Sequence, residues 1–209
     1  MAELVLPIFP LPELTFFPNT VLPLHVFEAR YRAMLTDALA RQRRLAVVHL
    51  KPGYEADYAG KPAVHAIAGA GEIVNAERLQ TGRYNIVLRG DMRIRIVREL
   101  PTDTLYRLVR AQQLDDIPAA GDVKPVVERI HASCRRLLAA VGRPVDLLDA
   151  AFGDDTAPGA VADRIASAVL PSAARRQELL ETLEVDDRLI RLADALDDLV
   201  SDLTKRRRE

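Results

Sequence analysis

The side chains best suited to chemistry in this 209-residue chain are few and scattered. His25, His49, His65 and His131 fall on separate predicted strands and a helix, and no carboxylate recurs beside them at a metal-ligand spacing. Cys134 is the only cysteine, which excludes an internal disulfide and a zinc cluster of several thiolates. Ser133 lies on a predicted helix with no base in sequence reach, so nothing marks it as an activated nucleophile. No stretch matches G-x-x-x-x-G-K-S/T, the loop that cradles nucleotide phosphates. Asp154 and Asp155 sit in a Gly-rich segment but lack the alternating oxygen ligands of a calcium loop. The expectation is a non-enzymatic protein with no catalytic residue, no cofactor and no metal.

Residues suited to binding are easier to find. Phe16 and Phe17 precede a Pro18-Asn19 turn, either as loop-packing core residues or with one ring exposed. Tyr54 and Tyr58 lie in the polar, Gly/Pro-containing stretch Lys51 to Pro62, the kind of surface loop on which binding residues collect. These four are the candidate polypeptide-binding residues. Arg89, Arg93, Arg95 and Arg98 follow one another along a predicted strand, with Arg93 and Arg95 placed on one face as phosphate contacts would require. Lys205 to Arg208 form a basic tail of the sort that is ordinarily a solvated end.

Charge divides the sequence. Up to Leu114 there are 15 basic and 11 acidic residues, and from Asp115 onward 14 and 19, for an overall net charge of -1. Near-zero net charge gives no global pull toward nucleic acid or acidic membranes. No run approaches the ~20 apolar residues of a membrane span. The start, MAELVLPIFPLPEL, has no basic leader and is broken by prolines, so a cytoplasmic location is the default expectation.

Periodicity supplies the elements that hold these residues. From Gly69 to Arg98 the sequence reads as consecutive antiparallel strands. Tyr84, Ile86 and Leu88 alternate with Asn85, Val87 and Arg89, and Met92, Ile94 and Ile96 repeat the pattern. Gln80 to Arg83 is a turn in which Gly82 suits positive φ, and Gly90-Asp91 a second break, a bulge or a tight turn. Leu4 to Phe9 is a strand that Pro7 assigns to a sheet edge. Val21 to Val26, Leu45 to Leu50 and Leu105 to Leu114 complete the strands, with an amphipathic helix from Phe27 to Arg43 among them. Beyond the break at Asp115 to Gly121 the sequence is helical, with segments at 122–141, 145–152, 159–170, 172–183 and from Asp186 onward.

Three blocks together resemble one family. Leu6-Pro7-Ile8-Phe9-Pro10-Leu11, then Phe17-Pro18 and Pro23-Leu24, are similar to the opening "LPLLPLRD…FPG…PL" of the Lon substrate-binding domain. Gly71-Glu72-Ile73-Val74, Gly82-Arg83-Tyr84 and Arg89 to Ile96 resemble its central "GTVAxI…DG…xxGxxRxxI". Arg176 to Glu181 with Val185 to Leu189 resemble its "KQELLE…DVEERL". Pro12-Glu13 replaces the Arg-Asp of the opening motif, and the Lys51–Pro62 loop has no evident counterpart.

The resemblance implies an α+β protein: an N-terminal PUA-like antiparallel β-barrel subdomain with one helix (1–116), then a C-terminal α-helical bundle (117–209). It casts Gly71, Gly82, Gly90 and Arg93 as structural motif positions. It also implies a stand-alone module, without Lon's ATPase part or its Ser-Lys peptidase dyad, that recognises flexible polypeptide segments or a protein partner. RNA binding through a PUA-like barrel is the alternative. The final helix is long enough to pair between two copies, and the alternative is that its apolar face is used inside the bundle, so a homodimer is one of two open readings.

Overall fold

A computed structural model describes residues 3–58, 60–148, 151–153 and 156–206. Asp154 and Asp155 of the acidic pair, and Arg207 and Arg208 of the basic tail, lie outside them. The protein divides into two compact units, Met1–Asp115 and Asp116–Glu209.

The first unit holds β1 (Glu3–Leu11), β2 (Val21–Val26), α1 (Ala29–Ala40), β3 (Arg44–His49), β4 (Ile67–Arg78), β5 (Tyr84–Leu100) and β6 (Arg107–Leu114). Its sheet runs β2-β5-β4-β3-β1-β6, and an additional β5–β6 pairing closes five of the strands into a ring. One pairing, β1 with β3, is parallel, which departs from the expected all-antiparallel barrel. The long helical connection between these two strands makes a parallel neighbour possible. Nor is β1 an edge strand. It pairs with β6 over Glu3–Ile8 and with β3 over Ile8–Leu11. The partner changes at Ile8, so Pro7 and Pro10 each lie where a single neighbour is in register, and neither missing N–H interrupts a two-sided ladder.

Two apolar cores lie on opposite faces of this sheet. Leu6, Ile8, Ala46, Val48, Ala68, Ala70, Ile94, Val109 and Ala111 come from all five ring strands and fill its interior. Phe9, Leu45, Val47, Ile73, Ile86 and Leu88 pack instead with Tyr31, Met34, Leu35 and Ala38 of α1. Alternate residues of β3 thus serve the two cores, which explains its unbroken apolar run. β5 serves both by another device. Gly71 pairs with Gly90 and Ala70 with Met92, so Asp91 is an extra, bulged residue. Before the bulge Tyr84, Ile86 and Leu88 face α1, and beyond it Met92, Ile94 and Ile96 face the ring interior.

The segment after β1 crosses this sheet at unusually close range. A Cβ at Gly69 would lie 1.9 Å from the Phe16 carbonyl oxygen, and one at Gly90 2.1 Å from that of Phe17. The Asn19 N–H donates to the Gly90 carbonyl and the Gly90 N–H to the Thr20 carbonyl, each at 2.9 Å. Phe16 and Phe17 are accordingly 2% and 0% exposed. Gly82, by contrast, occupies the β4–β5 turn at φ +75°, where its N–H donates to the Leu79 carbonyl.

The second unit contains α2 (Lys124–Ala140), α3 (Pro158–Val169), α4 (Ala173–Glu181) and α5 (Val185–Arg206). Of the expected helix at 145–152, the described residues form a 3-10 turn over Val145–Leu148, and Asp149 and Ala150 lie outside them. Asp122 accepts from the Lys124 N–H at 2.9 Å and Ser172 from the Arg175 N–H, which fixes the starts of α2 and α4. Arg188 of α5 is fully buried. Its guanidinium donates through Nη1 to Asp116 Oδ1 at 3.0 Å and to the Thr182 carbonyl at 3.1 Å, with Nη2 on Asp116 Oδ2. The buried Asp163 carboxylate of α3 lies 3.8 Å from Nε. A Cβ at Gly159 would fall 2.7 Å from Asp116 Oδ2 and 2.9 Å from Arg188 Nη2. This cluster places Asp116 with the helical unit, one residue before the expected boundary.

Three substitutions test this architecture. Gly90→Ala should cost about 2–3 kcal/mol in urea unfolding by overpacking. Gly121→Ala, with nothing within 4 Å of the added carbon, should stay within about 0.5 kcal/mol. Arg188→Ala should cost about 3–5 kcal/mol in the helical unit, because it leaves Asp116 and Asp163 facing an uncompensated site.

Candidate functional site

A cleft of about 250 Å³ opens in the first unit where α1, Tyr58, Gly60 to Pro62 and the β5–β6 hairpin meet. Pro10, Tyr31, Leu50, Pro62 and Tyr106 supply its buried lining, while Lys61, Thr104 and Leu105 supply exposed lining. Leu105, at the hairpin, is 69% exposed.

The first turn of α1 organises one side. Glu28 precedes the helix in extended conformation, and its carbonyl accepts from the Tyr31 and Arg32 N–H groups at 3.1 and 2.9 Å. Its carboxylate accepts from Arg30 Nε at 2.9 Å and from the Tyr58 hydroxyl at 3.2 Å. The Arg30 guanidinium lies 4.6 Å from the Tyr31 ring centroid and 5.3 Å from that of Tyr58, a cation–π contact with both rings. Tyr54 meets Tyr58 edge-on at 6.2 Å from the short 3-10 turn Tyr54–Asp57. The polar loop is therefore tied to α1 through Tyr58.

The hairpin organises the other side. Arg107 donates to the Pro62 carbonyl at 2.8 Å and pairs with Glu99. The Tyr106 hydroxyl donates to Asp37 of α1 at 2.6 Å. Burial and this carboxylate push the Tyr106 phenol up to about 12. Burial pushes Tyr31 up to about 12 as well, and Tyr58 is raised by burial and then by Glu28. All three stay protonated, hence able to donate, throughout the physiological range.

Of the four expected binding residues, the cleft takes Tyr58 directly and Tyr54 through its contact with Tyr58. Phe16 and Phe17 are a correction: their backbone is pressed onto the glycines of β4 and β5, so neither ring reaches a surface where a partner could meet it. The arginine face is a second correction. Arg93 is 3% exposed, so the pair Arg93 and Arg95 presents no common exposed face, and of the exposed members Arg89 is paired with Glu72. Arg30, Tyr31, Tyr106 and Arg107 were not singled out by the sequence. Tyr31 reads there as one more apolar position of α1, and only the adjacent Arg30 hints at a second role.

Other chemistry-bearing residues have structural partners. Ser133 donates to Asp197 at 2.5 Å, which with Arg129 holds that carboxyl below its usual range. Burial pushes the Cys134 thiol up to about 12, far from a reactive thiolate. His49 and His65 stack at 5.0 Å, His25 bonds Asn85 at 2.8 Å, and His131 packs on Phe152. Among the described residues no group of three or more His, Cys, Asp or Glu could hold a metal ion. No described helix is long and apolar enough to cross a membrane.

The family model for the ATP-dependent protease La (LON) substrate-binding domain matches residues 5–198. Among curated proteins, the sequence is 29% identical over 98% of its length to a Lon protease of Anaeromyxobacter dehalogenans and 30% identical over 98% to Lon protease 2 of Myxococcus xanthus. It spans 23% and 24% of those proteins, about a quarter of their length. Among solved structures, the N-terminal domain of a Mycobacterium avium complex Lon protease aligns with TM-score 0.67 and 21% identity, over 93% of this protein and 98% of that one. A Lon N-terminal domain protein from Xanthomonas campestris aligns with TM-score 0.66 and 23% identity, over 90% and 96%.

The tyrosines give the cleft a pH signature. A phenol whose folded pKa is raised contributes stability that is intact below its unfolded value of 10.0 and lost as pH rises through about 12. The urea midpoint of the first unit should fall between pH 10 and 12. Tyr31→Phe should make that fall shallower and leave the midpoint at pH 7 nearly unchanged. An unaltered alkaline slope would contradict the placement of this phenol.

Proposed function

Because the chain belongs to the ATP-dependent protease La (Lon) substrate-binding domain family, we propose that it recognises polypeptide segments, and that the cleft beside α1 is where it does so. Supporting this reading, the cleft combines apolar side chains with fixed hydrogen-bonding groups, a combination typical of sites that orient a ligand. Tyr58 and Arg30 stand at its side in a mutually held stack, so little side-chain freedom is lost when a segment docks. Tyrosine and arginine are also the side chains that most often dominate binding energy at protein interfaces.

Recognition fits a protein in which Ser133 and Cys134 are committed to packing and to structural hydrogen bonds. The activities of the full-length Lon proteases belong to proteins about four times as long. The part that this reading assigns here is the holding of a segment.

Binding of the 209-residue protein to a peptide array and to urea-unfolded proteins is the test, followed by titration of the best peptide. Tyr58→Ala should weaken that peptide about tenfold, the ordinary size of an interface anchor. Absence of binding above background, or full affinity in Tyr58→Ala with the fold intact by circular dichroism, would remove the reading.

A further inference from the structure

The cleft carries more information than its shape. Tyr31 is 4% exposed and lines the cleft, yet its hydroxyl has no hydrogen-bond partner among the described residues. Its counterparts differ: Tyr58 donates to Glu28, and Tyr106 to Asp37. The Tyr31 ring packs in the core beneath α1 and also lines the cleft, where after burial the charges of Arg30, Glu28 and Arg107 act on its phenol. A phenol hydroxyl that no described protein group accepts from, on a residue lining the cleft, is available to donate to an incoming acceptor.

The charges around it are also unequal. Glu28 is occupied by Arg30 and Tyr58, and Glu99 by Arg107. Lys61 is exposed on the lining and forms no ion pair among the described residues. The groups left over for a ligand are therefore a hydroxyl donor and an ammonium, both of which favour an anion-bearing acceptor. Pro10, Leu50, Pro62, Leu100 and Leu105 complete the lining with apolar surface. At about 250 Å³ the space lies below the roughly 300–1,000 Å³ of drug-sized sites. That size suits one side chain with its immediate backbone, not a long segment.

We propose that the cleft selects an apolar residue accompanied by a carboxylate, with the Tyr31 hydroxyl and the Lys61 ammonium meeting the carboxylate and the aliphatic lining meeting the side chain. The carboxylate comes either from the C-terminus of the bound polypeptide or from an acidic residue next to the apolar one. The inference rests on the polypeptide-binding reading above and deepens it.

Fluorescence anisotropy with three labelled decapeptides tests it on the 209-residue protein. One ends in Leu with a free carboxylate, the second is the same peptide amidated, and the third is amidated with an internal Leu-Asp pair. At least one carboxylate-bearing peptide should bind roughly tenfold more tightly than the amidated control, as expected for a charge-assisted hydrogen bond. Preference for the first assigns the free C-terminus, and preference for the third assigns the acidic side chain. Tyr31→Phe and Lys61→Ala should each erode that preference while the amidated peptide binds as before. Equal binding of all three peptides, or a preference that survives both substitutions, overturns the carboxylate inference and leaves polypeptide recognition standing. Failure of all three peptides while unfolded proteins still bind does the same. No binding by peptides or unfolded proteins overturns both.

Discussion

The first unit depends on a contact between backbones. Carbonyl oxygens of Phe16 and Phe17 occupy the space that Cβ atoms would take at Gly69 and Gly90. Any side chain there would lift the crossing segment off the sheet and uncover Phe16, part of the core beneath α1. The paired hydrogen bonds between Gly90 and Asn19-Thr20 pin the segment in place. From that anchor the backbone enters β2 and then α1, whose first turn carries Glu28, Arg30 and Tyr31. The cleft is thus positioned from a distance by glycines that have no part in its lining.

Strands β3 and β5 resolve a packing problem. One ring of five strands must fill its own interior and also support a helix outside, so its strands need apolar residues toward both sides. β3 does so with an unbroken apolar run. β5 does so by inserting Asp91, which turns one continuous alternation from the helix side to the ring interior. Arg44 pairs with the bulged Asp91 side chain and keeps it at the surface. In the helical unit the organising element is electrostatic instead. Arg188 enters the core only because Asp116 and Asp163 meet it there, and Gly159 gives that cluster room.

Much of this architecture was legible in the sequence wherever a local period carries it. The alternation from Tyr84 to Leu88 and the helical repeat of Tyr31, Met34, Leu35 and Ala38 both correspond to observed burial, whereas beyond Gly90 the buried Arg93 breaks the pattern. What a period cannot tell is which core a face belongs to, so the continuous even-numbered pattern of β5 hid its change of side. Pro7 pointed to an edge because a change of partner at Ile8 depends on strands that lie about 40 and 100 residues away in the sequence. Phe16 and Phe17 looked like loop residues because close approach is a property of the glycines opposite. The cleft was half legible. Tyr58 stood out on a polar loop, whereas Arg30, Tyr31, Tyr106 and Arg107 come from a helix and a hairpin whose patterns read as packing. Arg188 and Asp116, 72 residues apart, carried no local signal of their pairing.

Polypeptide recognition, as proposed, takes place at the cleft held by Glu28, Arg30 and Tyr58. Its most direct measurement is the backbone amide NMR spectrum of the isotopically labelled protein as a bound peptide is titrated in. Perturbations should concentrate at Arg30, Tyr31, Tyr58, Lys61 and Leu100 to Arg107. Shifts confined instead to the helical unit, for example along Leu137 to Val141 and Leu199 to Leu203, would contradict the account.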